Sequence, residues 1–425
     1  MDSGGSDSEG RWTRRLILAG GALVVAALGA AVVLVVAGGS STRRSRTTAT
    51  ASTRSGATAT TTPAPGLPAA PTPAPPGPPA QPAPSGPEQF GVSVNRLFND
   101  LIYTPAQIDA QLAALRTTGA TVARTDAFWE GAEPAAPVGG VHHYDWRFDD
   151  SIAASLASHD LTWLPIIDYT AYWAETIPGR DHSPPAVPDD YAAYAAAFAQ
   201  RYGPGGAFWV EHPALAAKPV GTYEIWNEPD GAAFWNPTPN AAAYADLYAR
   251  ARDAILAVQP SARVIVGGLA GPATFLPAML AARPALRGHV DGVAIHPYGA
   301  TPLGVLTIVR SVRAVMSSLG MARVPLYVTE FGWTTRPPTA RAYVSAALRP
   351  GYLRGTLQAL RHVDCSVAMT IVYTWVTPER NPKDGEDWFG IHSPSGAATV
   401  DSRAFTAGLR AAATPGASVN LCGST

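Results

Sequence analysis

From Gln89 onward one pattern recurs eight times: a short apolar, β-branched or aromatic run, then a helical stretch, usually rich in alanine. Such alternation is the signature of βαβ units, which build a parallel sheet covered by helices. The runs are 90–94, 121–126, 162–168, 221–227, 263–268, 292–296, 325–330 and 367–375. One helix is expected to start at Thr104-Pro105, a cap followed by proline at the first helical position, and others at about 189–202, 239–258, 303–319, 341–361 and 401–413. Eight strands with a helix after each imply an α/β fold closed as a single (β/α)8 barrel, and 337 residues fit that size. An open doubly wound sheet would carry a glycine-rich phosphate loop after its first strand, and FGVSVNRL has none. GGLAG (267–271) is read as a tight turn.

Chemistry in such barrels sits at the C-terminal strand ends. Here those ends carry Arg124 and Asp126, Asp168, Asn227 and Glu228, His296 and Tyr298, Glu330, and Trp375. One or two charges on a solvated rim cost little, but the ensemble points to a site. Cleaving a glycosidic bond requires two carboxyl groups, one protonating the leaving oxygen and the other attacking the carbon or activating water. Glu228 ends the fourth strand and Glu330 the seventh, so they approach from across the barrel.

YEIWNEPD (223–230) and VPLYVTEFGWTT (324–335) resemble the fourth- and seventh-strand motifs of the clan of retaining barrel glycoside hydrolases (clan A) that includes families 5 and 39. The resemblance implies Glu228 as acid/base, Asn227 as a contact to the sugar 2-hydroxyl, and Glu330 as nucleophile. VDGVAIHPYG (290–299) resembles the sixth-strand segment whose histidine and tyrosine, here His296 and Tyr298, border the nucleophile. Arg124 matches the arginine that holds the nucleophile ionised, and Trp375 the tryptophan flooring the subsite of the cleaved sugar. Glu228 must then be protonated at rest, with Trp226 and ionised Glu330 nearby to favour that form. Glu330 must stay ionised, with Arg124 and Tyr298 to hold it so. His296 is expected to donate a hydrogen bond rather than act as a base.

The loops beyond the strands add Trp129, Glu130, Asp168, Trp173 and Trp388, for which substrate contact and plain packing are both open. His142-His143 has no third ligand at a recognised spacing and reads as a surface loop; no metal or other cofactor is expected. The expected partner is a β-linked oligo- or polysaccharide, cut by a monomer. The alternative is a barrel that binds carbohydrate without cutting it.

The first 88 residues follow other rules. Residues 1–15 read as a cytoplasmic tail, and 16–37 form an uncharged apolar run spanning about 33 Å as a helix, enough to cross a bilayer as a signal anchor. A small-residue pattern at Val35 and Ala37 leaves cleavage as a signal peptide open, and arginines on both sides leave orientation undecided. Residues 38–88 hold twelve prolines between Pro63 and Pro87 and read as a disordered spacer, with the catalytic domain at 89–425. A spacer of this kind suits a domain displayed outside the cytoplasm, anchored or, after cleavage, secreted. There Cys365 and Cys422 would pair and pin the C-terminal tail; otherwise they are two free thiols. A net charge of −1 gives no reason to expect nucleic acid.

Overall fold

The computed structural model describes residues 78–82, 88–414, 416 and 419–423. The tail at 1–15, the apolar run at 16–37 and most of the spacer lie outside them. Among the described residues no helix is long and apolar enough to cross a membrane.

Eight strands close into a parallel barrel in sequence order. They are β1 (Gln89–Ser93), β2 (Val122–Phe128), β3 (Thr162–Asp168), β4 (Thr222–Ile225), β5 (Arg263–Leu269), β6 (Val293–Ile295), β7 (Leu326–Val328) and β8 (Val367–Val372). One longer helix follows each: α1 (Pro105–Thr117), α2 (Arg147–Ser158), α3 (Pro188–Tyr202), α4 (Ala241–Val258), α5 (Pro272–Ala282), α6 (Pro302–Ser318), α7 (Arg349–His362) and α8 (Val400–Ala413). At α1 the sequence signal is realised in full: Thr104 accepts from the Gln107 amide, and the Gln107 side chain takes up the Thr104 amide.

Three helical expectations needed revision. Two helices lie outside the stretches named above: α2, which has no side-chain N-cap, and α5, which carries Pro277 in its interior. The helix expected from 341 starts at Arg349. Residues before it use their backbone elsewhere, Thr334 donating to the Ala342 carbonyl at 3.0 Å and accepting from the Val344 amide at 2.9 Å.

Within the barrel, Val122, Leu164, Ile265, Ala294, Tyr327, Met369 and Ile371 form an apolar plug. The larger apolar layer lies between strands and helices, where tyrosines do double duty. Their rings fill the layer while their hydroxyls donate to strand carbonyls: Tyr194 to Ala127 at 2.9 Å, Tyr244 to Ile225 at 2.8 Å and Tyr248 to Val264 at 2.7 Å.

The folded unit begins earlier than composition suggests. Part of the expected spacer packs at the N-terminal end of the barrel, where the Ala80 amide donates to Gly288 at 2.6 Å and the Gln81 amide to Asp291 at 2.7 Å. Arg252, ion-paired with Asp291, also donates to the carbonyls of Pro78 and Pro79. A proline segment offers only carbonyls, and a buried guanidinium is the donor that captures them. Glu88 is likewise taken in, accepting from Thr370, and burial pushes its carboxyl up to about 7.

At the other terminus Cys365 and Cys422 are joined by a disulfide, with Cα atoms 5.2 Å apart and a sequence separation of 57. In the chain-entropy account a loop of that length stabilises by about 4 kcal/mol. The Val419 amide adds a bond to the His362 carbonyl at 2.6 Å.

Candidate active site

The mouth of the barrel is organised around Arg124. Its side chain projects from β2 into the barrel, 1% exposed. Nη1 donates to Glu330 at 2.6 Å, Nη2 to the Asn227 side-chain oxygen at 3.0 Å, and Nε to Glu224 at 2.7 Å. Glu330, just beyond β7, also accepts from the Tyr298 hydroxyl at 2.7 Å. Burial alone would raise the Glu330 carboxyl; His296 and Arg124, together with the bonds from Tyr298 and Arg124, outweigh it and hold it below its ordinary range. Burial and the Glu330 charge push the Tyr298 hydroxyl well up, so it stays a donor.

Glu228 follows β4 and meets the same cluster through His296, whose Nδ1 lies 2.7 Å from a Glu228 oxygen and 3.6 Å from Glu330. The other ring nitrogen is 3.4 Å from Arg124 Nη2. Arginine has no acceptor, so that contact assigns the proton of a neutral ring to Nδ1, which therefore donates to Glu228 in either protonation state. Burial would push His296 down, but Glu330 and Glu228 outweigh it and hold it above its usual value. Oxygens of Glu228 and Glu330 come within 4.8 Å of each other.

The glycines at the end of β5 are not a simple turn. Gly267 and Gly268 belong to β5, and a Cβ on Gly268 would lie 1.9 Å from His296 Nε2. The glycine therefore makes room for the imidazole. Gly268→Ala is expected to displace His296 from Glu228 and lower kcat by about 10- to 100-fold; an unchanged kcat, measured on protein of unchanged Tm, would refute that role. The next amides, Ala270 at 3.1 Å and Gly271 at 2.5 Å, donate to Asp230 and tie the loop after β4 to that after β5.

Other expected site residues lie elsewhere. Trp375 is fully buried, stacked on His392 with ring centroids 4.4 Å apart and donating to Gln111 of α1 at 2.9 Å. Its indole N–H thus points to a helix and not to the Arg124 cluster. Tyr373, two residues earlier, instead meets Tyr298 and Phe389 edge to face and donates to Glu386 at 2.7 Å. Trp129 is also in the core, packed against Trp173, Tyr191 and Tyr194, with its N–H on Glu133 at 2.8 Å. Trp226 packs against Tyr169, Tyr191 and Trp235 and donates to the Phe234 carbonyl at 2.6 Å. Asp168 has no exposed surface, and burial together with the neighbouring Asp126 pushes its carboxyl well above its ordinary range. Trp388 is partly exposed on the loop after β8, with the Arg336 guanidinium 4.7 Å above its ring. His142 bonds Glu133 at 2.8 Å and His143 is exposed, in keeping with a loop.

Sequence reasoning missed Glu224, Tyr373 and Glu386. Alternation along β4 puts residues 222 and 224 on one face, a signal that could have found Glu224. Glu386 comes from a long loop with no period to read, and burial pushes its carboxyl up to about 7.

Among the described residues two groups bring three potential metal donors together. In one, Asp364, Cys365 and Cys422, the sulfurs are already bonded. In the other, Glu228, His296 and Glu330, the Arg124 guanidinium on Glu330 supplies a positive charge to the cluster.

No protein-family model and no curated protein matches the chain. Solved structures do match its fold. A family 39 glycoside hydrolase from Xanthomonas axonopodis pv. citri is similar at TM-score 0.59 and 20% identity, covering 77% of this chain and 67% of that one. A monomeric β-xylosidase from Caulobacter crescentus CB15 gives 0.58 and 21%, over 77% and 69%. A family 5, subfamily 18 glycoside hydrolase from Streptomyces cattleya, solved with N-acetylglucosamine, gives 0.58 and 18%, over 78% and 82%.

Proposed function

We propose that this chain is a retaining glycosidase acting on a β-linked oligo- or polysaccharide. The observation that carries the reading is the approach of Glu228 and Glu330 oxygens to within 4.8 Å. So close an approach supports the roughly 5–5.5 Å pair of retaining enzymes over the roughly 6.5–9.5 Å pair of inverting ones. The unequal surroundings of the two carboxyls support their roles. Glu330, ionised by Arg124, His296 and Tyr298, attacks the anomeric carbon as the glycosidic C–O bond breaks and Glu228 gives its proton to the departing oxygen. Water then gives a proton to Glu228 and attacks the same carbon, and the bond to Glu330 breaks. Asn227, held by Arg124, contacts the sugar 2-hydroxyl in this reading.

The structural neighbours, a β-xylosidase and enzymes of families 39 and 5, favour this class over a barrel that only binds sugar. A 2-deoxy-2-fluoro glycoside of the sugar preferred in a panel of aryl glycosides is expected to inactivate the enzyme and leave its adduct on Glu330. An adduct on another residue, with Glu330 free in the peptide map, would overturn the assignment.

The same reading includes display outside the cytoplasm by the apolar run at 16–37. The Cys365–Cys422 disulfide favours it, because disulfides persist in oxidising compartments.

A further inference from the structure

We infer that Glu224 is a positioning residue that serves as the standing counter-ion of Arg124 while Glu330 is esterified to the sugar; this rests on the retaining reading above. Glu224 projects from β4 into the barrel with no exposed surface. Four donors surround its carboxylate: Arg124 Nε at 2.7 Å, Arg124 Nη2 at 3.2 Å, the Gly268 amide at 2.8 Å and the Thr329 hydroxyl at 3.0 Å. Arg124 therefore presents one edge to Glu224 and Nη1 to Glu330.

A guanidinium this deeply buried cannot shed its proton, and a buried charge without a partner is costly. With Glu330 ionised, the trio of Arg124, Glu224 and Glu330 carries a net charge of −1. Once Glu330 forms an ester its charge is gone, and Glu224 alone leaves the remaining pair neutral. Without the Glu224 charge the count would be zero at rest and +1 in the intermediate. Glu224 thus makes resting Glu330 a stronger nucleophile and the ester cheaper to form. Its removal would make Glu330 a weaker nucleophile and a better leaving group.

The other groups around Glu330 are His296 and Tyr298 beyond β6, Tyr373 and Glu386 beyond β8, and Glu228 beyond β4. Around Glu224 they are Asp168 of β3 and Tyr244 of α4. Of these only His296 can carry a positive charge, and its Nδ1 faces Glu228 and Glu330, not Glu224. Exchanging Glu224 eases its repulsion of Asp168 and Tyr244 and leaves the other side chains themselves unchanged.

The test compares wild type and Glu224→Gln with the 2-fluoro glycoside. In the variant the acid limb of kcat/KM is expected to move down by on the order of one pH unit. Inactivation should slow and spontaneous reactivation of the adduct should quicken, each by roughly tenfold. A merely structural role would leave the acid limb in place and slow both steps together, which would overturn the inference. If wild type itself forms no adduct, the retaining reading fails instead. Should Glu224→Gln not fold, Arg124→Gln/Glu224→Gln replaces it. That double variant is expected to melt higher than Arg124→Gln alone, because the single change strands Glu224; equal or lower melting would overturn the inference without reference to activity.

Discussion

Glu228→Gln is expected to separate substrates by their leaving groups. Glycosides with alcohol leaving groups need the proton, and their kcat/KM should fall by roughly 10³- to 10⁴-fold. A dinitrophenyl glycoside leaves unprotonated, so its first step should change little. The second step still lacks a base, and the glycosyl ester on Glu330 should accumulate, lowering kcat and KM together. Azide needs no base to attack the ester, so it should restore turnover and yield a glycosyl azide. The amide oxygen of glutamine can still accept from His296 Nδ1, so the pocket stays organised. Steady-state kinetics across a leaving-group series decides the matter: an equal loss on every substrate would mean that Glu228 is no proton donor.

The sequence carried the barrel well because period and strand chemistry agree along the chain. TWLPIID was read as 162–168 and β3 spans Thr162–Asp168. Where helices were misread, a residue gave a misleading local signal. Pro277 lies inside α5, and the tract before α7 has helical composition but gives its backbone to Thr334. The site was legible because its side chains sit at or just past the strand ends, in motifs that resemble those of the clan: Arg124, Asn227, Glu228, His296, Tyr298 and Glu330 meet in one hydrogen-bonded cluster. Parity failed past the end of β8. The strand stops at Val372, so Tyr373 faces the cluster while Trp375 turns to Gln111 of α1. Aromatic composition misled in the same way at Trp129, because a large ring fills a helix–sheet layer as readily as it lines a cleft. The proline tract misled for a different reason. It cannot build a core of its own, yet Arg252 and Asp291 lend it partners through the backbone, which composition does not record.

Arg124→Gln should damage both stability and chemistry, with a pH signature that distinguishes it from ordinary core disruption. It leaves Glu224 and Glu330 buried beside each other without their shared cation, and breaking such a pair costs about 3–5 kcal/mol. Turnover should fall by roughly 10²- to 10³-fold, more than affinity, since the lost interaction keeps Glu330 reactive. The direction with pH follows from Glu330. In the wild type its carboxyl is held below the ordinary 4.5, so ionised Glu330 stabilises the fold above that pH and the contribution is lost as pH falls through the lower folded value. In the variant, burial again pushes the carboxyl up, opposed only by His296 and Tyr298. The acid limb of kcat/KM should therefore move to higher pH, opposite to the shift expected for Glu224→Gln. The loss in Tm should be greatest near neutrality and shrink on acidification, because protonating either stranded carboxylate relieves its burial. Melting curves at pH 4, 5 and 7 read the effect directly. A deficit that stays constant with pH would mean that Arg124 matters for its packing and not for its charge.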